Sequence, residues 1–336
     1  GRPLMRSPGD IIAEASRLRE LGVRNLRVGG QTCIVSYGSD PDSPVPTPVP
    51  EKVDELFEGL QSLGFDVLHV DNANAAVIAS HPDEAEQVLT TLATRCTDGN
   101  VLALGMESAD QVMDAVRMIN RVGGARGPRG MPRLLPGINV ICGLDGETSA
   151  TYGMDMDILN RMKDEGLMIR RINIRQVLPI RKEFGVKVDQ RRFKRFKEEV
   201  REDIDRVMLE RVAPRGTVLK DVYLELQDGN TTFGRQIGSY PLLVGIPYKL
   251  DIERFCDVYI TDWGFRSITG VTYPFDINSM PMSALAALPG IGKKRAQRLA
   301  AEKPFKDFDE LQKVLEDPHV VDGLRDIVVF GGIRKD

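Results

Sequence analysis

A chain of 336 residues, 42% apolar and 28% charged, is long enough for two or three separate cores and excludes a disordered or fibrous polymer. Its formal net charge of −4 excludes a uniformly basic surface, so any grip on nucleic acid has to be local. No apolar run approaches a membrane span and no signal segment opens GRPLMRSPGD; the expectation is a cytoplasmic protein with no membrane partner, read as a processed chain or a fragment because it lacks an initiating Met.

Ser7-Pro8-Gly9-Asp10 reads as a helix start, with a cap, Pro at the first helical position and an acid in the first turn; Ile12, Ala15, Leu18 and Leu21 follow at helical spacing. NLRVGG is a short strand ending in glycines. A Pro-studded loop from Pro41 to Pro50 precedes a helix carrying Val53, Leu56, Phe57, Leu60 and Leu63 on one face. FDVLHV is a strand, and His81-Pro82-Asp83 opens a helix with Ala85, Val88, Leu89 and Leu92. NVLALG, GINVICG and RRINIRQVL are further strands, separated by the helices SADQVMDAVRMINRV and TYGMDMDILNRMKDEG. Five apolar strands alternating with helices predict an α/β fold with a parallel sheet, whose ligands bind at the carboxyl ends of the strands.

Asp189 to Val212 is predicted as one connecting helix, its basic first turns a solvated face. From Gly216 the period changes to two. Asp228-Gly229-Asn230 marks a hairpin, and PLLVGIP, DVYITDW and SITGVTY add strands, which predicts a small antiparallel barrel. Short helices follow from Ile277. The boundaries read from this pattern are 1–185, 186–213, 214–274 and 275–336.

The four cysteines, Cys33, Cys96, Cys142 and Cys256, are far apart, and His69, His81 and His319 are scattered; no metal site is expected from residues of this chain alone. Buried thiols in a reducing compartment fit this spacing. The residues after each strand remain: Gly29-Gly30-Gln31, Asp71-Asn72, Gly105-Met106-Glu107-Ser108, and Gly143-Leu144-Asp145-Gly146-Glu147-Thr148. Each alone is ordinary turn chemistry. Four in register on one sheet point to a ligand.

These tips resemble the radical S-adenosylmethionine (radical SAM) enzymes, from Gly1 to about Phe184, which implies an incomplete (β/α)6 partial barrel. The resemblance implies that Gly29, Gly30 and Gln31 meet the methionine amino group, where the family has a glutamate in place of Gln31. It puts Asp71, Glu107 and Ser108 near the cofactor. Val140, Cys142 and Gly143 would meet the adenine through backbone and apolar side chains. The family's CxxxCxxC loop, which holds a [4Fe-4S] cluster fed by a reductant, is absent, so the chain as given is expected not to cleave S-adenosylmethionine. The middle strands resemble the TRAM-like (OB-like) small barrels behind RNA-modifying methylthiotransferases. There Arg235, Gln236, Tyr240 and Arg266 are candidate nucleic-acid contacts beside an equally available packing role.

LPGIGKKRAQRL matches a helix-hairpin-helix motif. Gly290, Ile291 and Gly292 expose backbone N–H groups at a helix start, where a phosphate is favoured, and Lys293, Lys294 and Arg295 add charge. The whole order resembles an archaeal radical SAM family with a C-terminal helix-hairpin-helix. The function implied is an enzyme that, when intact, modifies a nucleic acid such as tRNA. Two other readings stay open: a non-catalytic DNA- or RNA-binding module with a DNA-repair role, and an interaction protein whose hairpin docks a partner.

Overall fold

Local capping sets the first boundaries. Ser7 Oγ accepts from Asp10 N and Pro8 takes the first position of α1 (Pro8–Glu20). The computed structural model describes residues 5–105, 107–148, 150–178, 188–264 and 266–331. By contacts the chain forms two units: Gly1–Val212 with Gly238–Tyr240, and Ala213–Ile237 with Pro241–Asp336. The protein is a mixed α/β structure.

In the first unit α1 is followed by β1 (Asn25–Val28), α2 (Pro50–Ser62), β2 (Val67–Val70), α3 (Ala75–Ser80), α4 (Pro82–Arg95), β3 (Asn100–Gly105), α5 (Ala109–Gly123), β4 (Leu134–Cys142), α6 (Thr151–Asp164) and β5 (Arg171–Gln176). The sequence pattern opens a helix at His81-Pro82-Asp83 and assigns no element to α3, a six-residue helix capped by Asn74. All described strand pairs in this unit are parallel, but they form two sheets, β1-β2 and β3-β4-β5. Side chains replace the ladder between β2 and β3. Val70 N donates to Asn100 Oδ1 and Leu68 N to Thr97 Oγ1, both at 3.0 Å. Backbone bonds flank them: Thr97 N donates to Leu68 O at 3.0 Å and Ala73 N to Ala103 O at 3.1 Å.

The core lies under one face of these strands. Leu68, Val70, Leu102, Leu104, Ile138 and Val140 pack with Phe57 and Leu60 of α2, Val88 and Leu92 of α4, and Val112 and Ile119 of α5. Each such side chain, once buried, stabilises the fold by about 1.5–3 kcal/mol. The helix expected over 189–212 runs without a gap from Gln190 to Val212, capped by Asp189: α7 (Gln190–Val200) and α8 (Arg206–Val212) are joined through a π turn at Arg201–Asp205, and Ile204 and Met208 lie in the core.

In the second unit β6 (Val218–Asp228), β7 (Thr231–Gln236), β8 (Leu243–Ile246), β9 (Phe255–Trp263) and β10 (Ser267–Tyr273) close a barrel in the order β10-β8-β7-β6-β9. The expectation of a purely antiparallel barrel is corrected at one seam, where β10 and β8 run parallel. Strand direction cannot alternate all the way round a closed ring of five, so one parallel pair is unavoidable. Gly270 is required at a bulge of β10, because a Cβ there would come within 2.6 Å of Tyr259 O. Beyond the barrel, β11 (Phe275–Asp276) pairs in parallel with β12 (Val328–Val329). Between them lie α9 (Met282–Ala287), α10 (Gly292–Glu302), α11 (Phe308–Leu315) and α12 (Pro318–Asp322).

Asn100 is fully buried, and its loss strands the Val70 N–H. Asn100→Ala should lower the unfolding free energy by about 1–3 kcal/mol in urea denaturation. An unchanged midpoint would mean that the two sheets do not depend on this link.

Candidate functional site

Successive strand residues point to opposite faces, and in-register parallel pairing keeps each set on its own side. Here the strand residues that pack into the helical core, among them Leu26, Leu68, Leu102, Ile138 and Ile172, stand at even positions of all five strands. The odd-numbered set includes Arg27, His69, Ala103, Asn139, Ile141, Arg171, Asn173 and Arg175, aligned by the pairs Arg27↔His69, Gly105↔Asn139, Asn139↔Asn173 and Ile141↔Arg175. Val67, Val101 and Leu135 are odd and buried as well, so the second face is apolar toward one end and polar where Arg27, His69, Asn139, Arg171, Asn173 and Arg175 stand.

That face is wired by side chains. Arg27 Nε donates to Asp71 Oδ1 at 2.6 Å and Arg27 Nη2 meets Oδ2 at 2.5 Å, a two-point pair that raises the Arg27 pKa. The Tyr240 ring takes the Arg171 guanidinium at 4.4 Å and that of Arg27 at 5.3 Å, and Arg27 Nη2 donates to the Tyr240 hydroxyl at 3.3 Å. Residues of the first and the fifth strand thus converge on one ring. Asn173 Nδ2 donates to Asn139 Oδ1 at 3.1 Å, while Asn173 Oδ1 accepts from both Arg171 and Arg175.

The carboxyl tips differ among themselves. Gly30, at φ 85°, and Gly105 leave open space where a Cβ would stand. Gly29 abuts Asp71 Oδ2 at 3.4 Å, measured from its ideal Cβ position. Gln31 Nε2 donates to Val28 O, and its Oε1 is buried with no hydrogen-bond partner. Asp71 is committed to Arg27. Glu107 is exposed, Ser108 caps α5 through Gln111 N, and Met106 lies outside the described residues.

The adenine-side expectation needs correction. Val140 and Cys142 are each 2% exposed, because even positions of β4 face the core, so only their backbone can reach a ligand. Gly143 N is taken by Glu147 Oε2, and Val177 and Val188 occupy the space where a Cβ would stand. Beside it, burial and then Glu147 and Asp155 push the Cys142 thiol up to about 11; burial and then Glu147 raise Asp155 to about 6.

In the second unit, Gly290 and Gly292 hold positive φ and Lys293 and Lys294 are exposed at the start of α10. Ile291 is buried, and Arg295 is engaged within the unit, donating to Gly290 O at 2.6 Å and pairing with Asp317 at 2.7 Å. Its expected phosphate contact is therefore corrected to a loop brace. Of the four barrel candidates, Arg235 pairs with Glu225 at 3.8 Å, Gln236 Nε2 donates to Lys220 O and Arg266 is exposed. Tyr240 belongs to the first unit instead. The basic run of α7 is offset by Glu198 and Glu199 at i,i+4.

Arg27, Asn139, Arg171, Asn173 and Arg175 were not picked out as site residues. The available signal was polar residues at every second position of RRINIRQV, a strand otherwise read as buried.

His69 lies on the same face, nearly buried. Ser239 N donates to Nδ1 at 2.8 Å, so Nε2 carries the proton and donates to Thr97 O at 3.0 Å. Burial pushes this imidazole down to about 4. The native state thus favours neutral His69 relative to an unfolded value of 6.5, and stability is full above 6.5 and is lost as pH falls toward 4. The expected loss is about 3 kcal/mol across that window. Urea titrations of the wild type and His69→Gln at pH 7.5, 5.5 and 4.5 should show a shallower slope in the variant. Parallel slopes would remove His69 as the cause.

No family model matches the chain. It is 44% identical over 299 residues to an uncharacterized protein of Methanocaldococcus jannaschii, covering 80% of this chain and 54% of that protein. It is 35% identical over 332 residues to an uncharacterized protein of Archaeoglobus fulgidus, covering 92% of this chain and 62% of that one. The chain therefore spans somewhat over half the length of these archaeal relatives.

Proposed function

We propose that the first unit is an incomplete radical SAM partial barrel and that the intact protein is a radical SAM enzyme acting on a nucleic acid such as tRNA. The observation that supports this reading is the convergence of Arg27 on β1 and Arg171 on β5 on the ring of Tyr240, which brings the first and the fifth strand to one side chain, as a partial barrel would. The open tips at Gly30 and Gly105 and the unpartnered Gln31 Oε1 fit S-adenosylmethionine, whose ammonium is a donor for that oxygen. Gln31, with the backbone of Gly30 and Gly105, would hold it. The cofactor, once bound, supplies the group released by reductive cleavage.

The [4Fe-4S] cluster does not fit this chain's own thiols. Cys96 and Cys142 are buried, Cys33 and Cys256 lie in different units, and among the described residues no three metal-binding side chains gather. In this reading the cluster ligands belong to a part of the protein outside these residues.

The nucleic acid is assigned to the second unit, with α10 as the end of a helix-hairpin-helix. Exposed Lys293 and Lys294 behind two positive-φ glycines support a phosphate grip, and they equally support a second reading, a non-catalytic DNA- or RNA-binding module.

Two experiments decide between them. Full-length protein, reconstituted anaerobically with iron and sulfide and then reduced, should release 5′-deoxyadenosine from S-adenosylmethionine. No release from a protein with an intact iron–sulfur absorption spectrum would leave the binding module. Lys293→Ala with Lys294→Ala should weaken binding to a generic duplex and to a folded RNA alike, and lower the salt slope by about 2. Unchanged slopes would place the grip elsewhere.

A further inference from the structure

The charges on the polar face of the first unit do not balance. Arg27 is neutralised by Asp71. Arg171 and Arg175 meet no carboxylate among the described residues. Both turn to one neutral atom, Asn173 Oδ1, at 3.5 and 3.2 Å, and Arg171 also lies over the Tyr240 ring. Two cations two residues apart on one strand face repel each other, and a shared amide oxygen offsets only part of that. Each guanidinium carries five N–H donors, so most of the donors of this pair have no protein acceptor among the described residues. The amide that both contact is itself fixed, since Asn173 Nδ2 is held by Asn139 Oδ1.

A pair of guanidiniums, one half-buried and one exposed, held by a fixed amide, lacking a carboxylate among the described residues and rich in planar donors, suits a tetrahedral oxyanion better than a neutral ligand. We propose that Arg171 and Arg175 bind a phosphate group of the substrate on the odd-numbered face of the α/β unit. This rests on the reading of that face as the ligand-facing interior, and it adds the anion that the interior recognises. Asn139 and Asn173 hold the pair in register, and Tyr240 limits how far the Arg171 guanidinium can turn. The carboxylate of S-adenosylmethionine is the other anion such a pair could take, so the test separates the two sources.

Adenosine 5′-monophosphate, adenosine and S-adenosylhomocysteine serve as probes, each titrated calorimetrically into the 336-residue chain, into Arg175→Gln and into Arg175→Lys. Arg175 is exposed, so these variants should fold, which circular dichroism checks. The expected result is that the monophosphate binds more tightly than adenosine, that Arg175→Gln weakens it about tenfold and that Arg175→Lys restores part of the loss. Binding of S-adenosylhomocysteine should not change. The Arg171 and Arg175 Nε–H resonances should shift with the monophosphate and not with adenosine.

Equal affinity for monophosphate and adenosine would overturn the proposal, as would monophosphate affinity unaffected by either variant. A parallel loss of S-adenosylhomocysteine binding would reassign the pair to the cofactor carboxylate and overturn it too. The 5′-deoxyadenosine assay takes no part in this test, so failure here leaves the enzyme reading standing, and failure there does not touch the phosphate result.

Discussion

Parallel pairing without a register slip is the constraint from which the first unit follows. Because β1 matches β2 residue for residue, and β3, β4 and β5 match in the same way, a residue's parity decides whether it faces helices or the opposite side. Even positions supply Leu68, Val70, Leu102, Leu104, Ile138 and Val140, which gain by leaving water. Odd positions are then free to be polar, but only where each polar atom finds a partner, since an unpaired buried donor or acceptor costs as much as several good contacts return. Arg27 with Asp71, His69 with Ser239 and Thr97, and Asn139 with Asn173 satisfy that condition.

Gly238–Tyr240 completes this face, and each residue is there for a different physical reason. A side chain at Gly238 would stand 2.8 Å from His69 Cε1, so only hydrogen fits. Ser239 offers its backbone N–H and thereby sets the imidazole tautomer. Tyr240 has φ 52°, a left-handed conformation that costs about 1 kcal/mol for a non-glycine residue. Two guanidiniums against its ring and one donor to its hydroxyl offset that strain.

What was legible in the sequence was what repeats locally. Ser7 and Pro8 announce α1, Val53, Leu56, Phe57 and Leu60 announce the buried side of α2, and the alternation around Asp228-Gly229 announces the β6–β7 hairpin. What was not legible depends on partners far away in the chain. Tyr240 is 213 residues from Arg27, and Arg295 meets Asp317 22 residues on. No local pattern distinguishes Arg295 from Lys293 and Lys294, although one is spent on a brace and the others reach solvent. The split between β2 and β3 was equally hidden, since Asn100 reads only as the first residue of the strand NVLALG until its amide is seen replacing a ladder bond.

Two pairs of cations without a carboxylate partner among the described residues, Lys293 with Lys294 and Arg171 with Arg175, differ in what they offer. At the start of α10 two lysines on flexible stems join a helix dipole worth about half a charge, which attracts phosphate without fixing its orientation. On β5 two guanidiniums are held by an amide that is itself held, and one of them is stacked on an aromatic ring. Planar donors in a fixed frame impose geometry as well as charge. In the two proposals the lysines would supply attraction and the arginine pair geometry, each within its own unit, because a flexible ammonium is a point charge and a held guanidinium is a planar fork.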